Sequence, residues 1–289
     1  MARVAVVMRT KDSAWVVDQA LAGLFAQRFR DFELLVVDSG SRDATLEVVG
    51  RYPCRLERIA PKAYFPGSVL NDAIRRTDAE IIVFQNSDVV PLSPHALERV
   101  LAPLSDPAVV ASFARQVPRP EADAWVRRDY DVAFPATGDA PEWMALSLPF
   151  AAIRRSAWEA HPFYEDAWAS EDTEWGRWAK RAGHAIRYVP DAVVMHSHNY
   201  TLRQIYGRRF VEGEADAFIE RTPASLLRAL RAFAASVVHD LRRGDFTSPV
   251  RRAVYHWAYV AGRRLGERRL AEGDRDRAKG QAVVLARYG

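Results

Sequence analysis

A single cysteine, Cys54, occurs among the 289 residues. One thiol excludes an internal disulfide framework and a metal centre built from several cysteines. Set in a Tyr-Pro-Cys-Arg turn, Cys54 reads as inert. No charged leader with a long apolar core precedes the first strand, which starts by Arg3, so no secretory signal is expected. No apolar run approaches the ~18 residues of a membrane span. Both common glycine-rich phosphate loops are also missing. The first strand runs into Met8-Arg9-Thr10-Lys11-Asp12, which fits neither GxGxxG nor GxxxxGK[ST]. That argues against a dinucleotide dehydrogenase and against a P-loop enzyme. From these absences a soluble, cytoplasmic chain is expected, and a nucleotide can still be held without glycines where a metal neutralises its phosphates.

What the chain does contain is a strand–helix alternation through its first hundred residues. Strands are expected at Arg3–Val7, Phe32–Val37, Arg55–Ile59 and Ile81–Phe84. Near-continuous apolar runs of this kind suit strands buried on both faces, as in parallel sheets covered by helices. Between them, Val16, Val17, Ala20, Leu21, Leu24 and Phe25 fall at helical spacing behind a Ser13 cap. Further helices are expected over Ala44–Tyr52, from Pro66-Gly67-Ser68 to about Arg76, and from a Ser93-Pro94 start to about Leu104. From Pro118 to Pro149 the pattern loosens. It resumes with a strand over Ser147–Ile153, a helix from about Asp172 to Arg181 closed by Gly183, and short strands at Ala185–Val189 and Ala192–Met195. The fold class expected is α/β, a doubly wound and mostly parallel sheet with a C-terminal helical extension.

A boundary near residue 200 divides a body, residues 1–200, from the helical extension, residues 201–289. Charge changes there as well. The whole chain carries +4, whereas residues 201–289 hold 18 Lys+Arg against 10 Asp+Glu, a net of +8, leaving about −4 for the body. A basic tail on a mildly acidic body suggests an anionic partner or a solvated helical face. Two apolar stripes run through it. The first is Leu226, Leu227, Leu230, Phe233, Ala234, Val237, Val238 and Leu241; the second is Val250, Val254, Trp257 and Ala261.

The chemistry concentrates where strands end. In parallel sheets ligands bind beyond the carboxyl ends of the strands, and two of the strands run straight into Asp38 and into Gln85-Asn86-Ser87-Asp88. Residues i and i+2 of an extended segment point the same way, so Asn86 and Asp88 can face one ligand together. A hard cation, Mg²⁺ or Mn²⁺, binds through one or two carboxylates and substrate phosphates, which suits Asp88. An Asx-turn would explain the same residues without function. Asp38, opening Asp-Ser-Gly-Ser-Arg-Asp-Ala-Thr, suits an imide N–H or a ribose hydroxyl, or only caps the next helix, as Asp43 would. Glu171-Asp172-Thr173-Glu174 packs acids at a helix start, where the helix dipole stabilises them; an ionised Asp172 facing the crevice would serve as a general base. His196-Ser197-His198 follows another strand end, and a histidine there could complete a metal shell.

Together these pieces resemble the inverting family 2 glycosyltransferases of the A-type nucleotide-sugar fold. The stretches that carry the resemblance are Val36-Val37-Asp38-Ser39-Gly40-Ser41-Arg42-Asp43-Ala44-Thr45, Asn86-Ser87-Asp88 and Glu171-Asp172, spread over about residues 3–200. In Phe84-Gln85-Asn86-Ser87-Asp88-Val89-Val90-Pro91, Ala152-Ile153-Arg154-Arg155-Ser156-Ala157-Trp158 and His196-Ser197-His198-Asn199-Tyr200 the chain looks most like bacterial rhamnosyltransferases. The resemblance implies that Asp38 binds the nucleotide base beside Thr10 and Lys11. It makes Asp88 the metal ligand of an Asp-X-Asp motif whose first acid is replaced by Asn86, with His196, or else His198, ligating from the other side. Asp172 would be the base and Glu171 its support. Leu70-Asn71 stands where the family carries Arg-Asn, so Asn71 stays in the nucleotide-binding set while the arginine's contact is lost.

The activity implied is hexosyl transfer in polysaccharide biosynthesis. A sugar, rhamnose by the subfamily likeness, would pass from a dTDP-, UDP- or GDP-linked donor to a glycan or lipid-linked acceptor. The tail would then touch the inner face of the plasma membrane or a second copy of the chain, and no nucleic acid is expected. A nucleotidyltransferase and a non-catalytic nucleotide-sugar-binding protein are the alternatives. The first would normally carry a glycine-rich loop where this chain has Met-Arg-Thr-Lys-Asp.

Overall fold

The computed structural model describes residues 3–165, 168–220 and 225–273. The first half repeats strand and helix: β1 (Val4–Thr10), α1 (Val17–Phe25), β2 (Phe32–Asp38), α2 (Thr45–Val49), β3 (Arg55–Arg58), α3 (Pro66–Arg75), β4 (Ile81–Gln85), β5 (Val90–Pro91) and α4 (Ala96–Leu101). Then follow β6 (Val109–Val117), α5 (Ala124–Ala133), β7 (Phe150–Arg154), α6 (Arg155–Ala160), α7 (Glu171–Arg181), β8 (Ala185–Met195) and three C-terminal helices, α8 (Leu202–Glu220), α9 (Leu226–Leu241) and α10 (Ser248–Ala271).

The eight strands form one sheet in the order β3-β2-β1-β4-β7-β6-β8-β5. β3, β2, β1 and β4 are parallel, as are β6 and β8; β7 runs against both its neighbours and β5 against β8. Strand alternation sends Val4, Val6 and Met8 to one face, with α1, α2 and α4. Ala5 and Val7 go to the other, with α3, α6 and α7. Both faces of the central strands are therefore core, which explains the unbroken apolar runs. The order reverses at β1, where β2 leaves to one side and β4 lies on the other, so a crevice opens beyond their carboxyl ends.

Several local expectations shift. The hydroxyl of Ser13 does not cap α1; it meets Lys11 O at 3.0 Å and Ser87 Oγ at 2.8 Å, and it is the Ser13 carbonyl that accepts from Val16 and Val17. The helix after Ser93-Pro94 begins at Ala96 and gives way after Leu101 to a 3₁₀ turn at Ala102–Ser105 containing Pro103. The two short strands expected after residue 185 are one strand, β8, whose pairing with β6 slips between Ala114 and Arg115. β6 itself is hidden in the sequence because Ser112 and Arg115 break its apolar run; Ser112 is fully buried and donates to Val100 O. Gly183, at φ +81°, closes α7 as its spacing suggests.

In the C-terminal region α8 and α10 pack closely, because a Cβ at Gly213 or at Gly262 would collide with the carbonyl oxygen of Tyr259 or Phe210 on the facing helix. α10 turns Ala258, Val260 and Gly262 inward; of the stripe read from the sequence, Val250 and Trp257 are exposed, while Val254 packs against the cluster of Ala122, Trp125, Val126 and Ile205. α9 buries only Asp240. No helix among the described residues is long and apolar enough to cross a membrane.

Candidate functional site

A cleft of about 1440 Å³ lies at the carboxyl edge of β1, β2 and β4 and continues beneath the C-terminal helices. Thr10, Lys11, Asn86, Asp88, Glu171, Asp172, His196 and His198 all line it. Two non-glycine residues with left-handed backbone sit beside it: Asp12, φ 47°, next to Lys11, and Ser170, φ 65°, immediately before α7. Such conformations cost of order 1–3 kcal/mol and cluster where function demands them.

At one end, Asp88 meets both histidines. His198 Nε2 is 2.9 Å and His196 Nε2 is 3.6 Å from Asp88 Oδ2. Strand pairing explains the encounter. Val90 of β5 lies opposite Met195 of β8, so the residues just before one and just after the other share an edge. Arg119 fastens the arrangement, its guanidinium donating to Asp88 O at 2.6 Å while its backbone N–H donates to Ser197 Oγ at 2.9 Å. His196 Nδ1 is 2.7 Å from Gln116 Oε1, and the Gln116 amide donates to Ser147 Oγ at 2.8 Å. With its Nδ1–H donating to Gln116 Oε1, His196 presents Nε2 to Asp88, the outer-shell arrangement found around metal-binding histidines. Burial pushes the Asp88 carboxyl up, but the hydrogen bonds from His196 and His198 outweigh it and hold the group well below the usual carboxylate range.

One ligand atom from each of Asp88, His196 and His198 lies within 4.8 Å of the others. That donor set fits a divalent cation, which would replace the protons now shared in the cluster. Two imidazoles and one carboxylate suit Mn²⁺ better than Mg²⁺, which prefers all-oxygen shells. Sequence reasoning left the choice of histidine open; the structure turns both toward Asp88.

At the other end stand Glu171 and Asp172, opening α7. Arg9 Nη1 is 2.9 Å from Glu171 Oε1, and Arg9 Nη2 reaches 3.5 Å from Asn86 Oδ1. Arg9 therefore spans the two halves of the site, a role that no sequence motif disclosed. Its signal was present only as a charged residue on an otherwise buried strand, β1. Burial first, and then the charge of Glu171, push the Asp172 carboxyl up to about 7; backbone N–H groups of Thr173 and Leu148 and the charge of Arg9 act in the opposite direction. A carboxylate poised near neutrality in a ligand cleft suits general-base work.

Not every expected residue faces the cleft. Thr10 does, and its Oγ1 is buried without a hydrogen-bond partner, as a ligand-facing hydroxyl would be. Asp38 is fully buried. Its carboxylate accepts from the N–H of Gly40 at 3.0 Å and of Ser41 at 3.1 Å and from the Ser41 hydroxyl, shaping its own turn, and Ser39 rather than Asp38 lines the cleft. Asn71 is likewise turned away. Its Nδ2 donates to Phe163 O and Glu165 Oε1, and its Oδ1 accepts from Trp158 Nε1 and the Phe163 N–H, leaving little of the amide for a nucleotide.

Residues 5–162 match the family profile of Glycosyl transferase family 2. Among curated proteins, the chain is 27% identical over 224 residues to the O-antigen chain rhamnosyltransferase RfbN of Salmonella typhimurium, covering 73% of this chain and 71% of that protein. It is 31% identical over 193 residues to the O-antigen chain rhamnosyltransferase WbaN of Salmonella anatum, covering 63% of this chain and 61% of that protein. Among solved structures, the mannosyltransferase PcManGT from Pyrobaculum calidifontis, in complex with GDP-Man and Mn²⁺, superposes with a TM-score of 0.58 at 20% identity, over 99% of this chain and 79% of that one. At that identity the likeness concerns the fold, which is that of the A-type nucleotide-sugar transferases.

Proposed function

The chain belongs to glycosyl transferase family 2 and is a glycosyltransferase; we propose that it moves a rhamnose-type sugar from a nucleoside diphosphate to a hydroxyl of a glycan or lipid-linked acceptor, inverting the anomeric centre. The observation that carries this reading is the cleft itself. One part holds a carboxylate–bis-histidine cluster, another a carboxyl whose pKa is raised to about 7, and Arg9 links Glu171, beside the second, to Asn86, close in sequence to the first.

In this reading Asp172 removes the proton from the attacking acceptor hydroxyl, which contributes about 10²–10⁴-fold. Glu171, paired with Arg9, keeps the Asp172 carboxyl basic through its charge. Thr10 and Lys11 flank the nucleotide, and Asn86 offers a neutral polar contact where the family pattern has an acid. Asp88, His196 and His198 would hold Mn²⁺ or Mg²⁺, and a cation bound there would offset charge on the leaving nucleoside diphosphate. Asp38 as a base contact requires its carboxylate to give up Ser41. Catalysis belongs to residues 1–200, and α8, α9 and α10 supply the remaining lining of the cleft.

The sugar is taken from the rhamnosyltransferase relatives, which makes a dTDP-linked donor the first choice over UDP- and GDP-linked ones. Thermal shift of the chain with each nucleotide-sugar, with and without Mn²⁺, tests it. A dTDP-rhamnose-specific, Mn²⁺-dependent rise in melting temperature is expected; equal shifts for all donors, or none, would count against it.

A further inference from the structure

Helix α9 shows an apolar face that nothing among the described residues covers. Leu227 is 58% and Leu230 55% exposed, Leu241 and Val238 are also open, and Phe246, just beyond the helix, is 77% exposed. At about 100° per residue, Leu226, Leu227, Leu230, Val238 and Leu241 fall within one sector, with Arg231 and Arg242 along its edge. This exposure does not come from loose attachment. On the inward side Asp240 is fully buried, accepting from Arg128 of α5 at 3.0 Å and from Arg252 of α10 at 2.8 Å. Ser236 meets His256 Nε2 at 3.2 Å. The helix is thus fixed with its apolar side outward.

Charge decides what fits there. Asp240 is the sole acid between residues 226 and 243, and it is spent on those buried arginines. The outward face is therefore apolar and cationic, without a carboxylate. A two-fold contact between copies would set Arg231 and Arg242 against the same cationic patch, with no acid on that face to relieve it. An anionic lipid surface satisfies both parts at once, taking leucines at the acyl boundary and arginines among the phosphates.

We propose that α9 is a membrane-surface helix that seats the protein on anionic lipid headgroups through Leu227, Leu230, Leu241 and Phe246, with Arg231 and Arg242 against the phosphates. The opposite side of α9 contributes Ala229 and Ala232 to the cleft that holds Asp172. Seating α9 therefore brings that cleft to the bilayer, where a lipid-linked acceptor would present its sugar. The seating goes beyond the transfer reaction and does not depend on it.

The test is flotation of the full chain with vesicles of phosphatidylcholine alone or mixed with phosphatidylglycerol. The chain should float with the mixed vesicles and stay behind with the neutral ones. Leu227→Gln/Leu230→Gln should lower partitioning by more than about tenfold, and Arg231→Gln/Arg242→Gln by about 30-fold with loss of salt sensitivity. An unchanged melting temperature would show that both variants remain folded. Equal flotation with neutral vesicles, flotation with neither, or indifference to both double substitutions would overturn the proposal. So would a dimer that the leucine substitutions dissociate in a chain that binds no vesicles, since the face would then belong to a second copy. Flotation needs neither donor nor acceptor, so a chain that floats but transfers no sugar would contradict the proposed function alone.

Discussion

Arg9 Nη1 lies 2.9 Å from Glu171 Oε1, an ion pair between the end of the first strand and the start of a helix 162 residues later. Arg9 thereby links Asn86, expected beside the donor, to Glu171, the neighbour of the expected base. Replacing Arg9 by Met should remove a positive charge that lowers the Asp172 pKa. The ascending limb of the kcat/KM profile should then move to higher pH than in the wild type, since that profile reports groups of the free enzyme. Arg9→Lys should move it less. Profiles that coincide for all three proteins would show that the pair is only structural.

Asp172→Asn should leave donor binding near the wild-type level while turnover falls by about 10²–10⁴-fold. Calorimetric titration of the donor beside a transfer assay separates the two. Wild-type turnover in this variant would end the assignment of Asp172 as base.

The same substitution carries a stability consequence with a defined sign. A carboxyl whose pKa is raised on folding holds its proton longer in the native than in the unfolded chain. Its favourable contribution is complete below the ordinary aspartate range, near 4, and is lost as pH rises to about 7. Above that pH the native protein carries an ill-solvated charge. Asp172→Asn should therefore melt at a higher temperature than the wild type at pH 8, and the difference should shrink toward pH 4. A variant less stable at pH 8 would contradict the raised pKa.

Gln116 touches His196, not the expected cation, and its amide oxygen fixes which imidazole nitrogen faces Asp88. Gln116→Leu should weaken Mn²⁺ affinity by about 10–100-fold, the usual effect of losing an outer-shell partner. Titration of Mn²⁺ by electron paramagnetic resonance reads this directly.

Asp240→Ala should destabilise the fold by about 1–3 kcal/mol, because Arg128 and Arg252 lose their shared buried carboxylate and keep only Asp245 and Asp129. Urea unfolding measures the loss. A change below about 1 kcal/mol would mean that Asp245 and Asp129 suffice for the two arginines.

The sheet was legible because its first half is written in the plainest pattern available. Val4–Met8, Leu34–Val37 and Ile82–Phe84 are buried on both faces, so no polar residue interrupts them. Asp88 and the histidines could be named for the same reason, as polar residues placed where apolar runs stop, and Asp172 as one of the acids clustered at a helix start. What the sequence could not supply was their meeting. That depends on the two-residue strand β5 pairing with Met195, on Gln116 from an unanticipated strand, and on Arg9 reaching α7. These are long-range relations with no local signature. Asn71 illustrates the converse, a polar residue at a motif position whose whole amide is taken by Trp158, Phe163 and Glu165.

The central claim is that Asp88 and its histidines bind a divalent cation together with a nucleotide-sugar. The most direct measurement is calorimetric titration of dTDP-rhamnose into the protein with Mn²⁺ and with EDTA, repeated on Asp88→Ala. We expect binding in Mn²⁺ that disappears with EDTA and in the variant. Equal affinity under all three conditions, or no binding to the wild-type protein in Mn²⁺, would contradict the account.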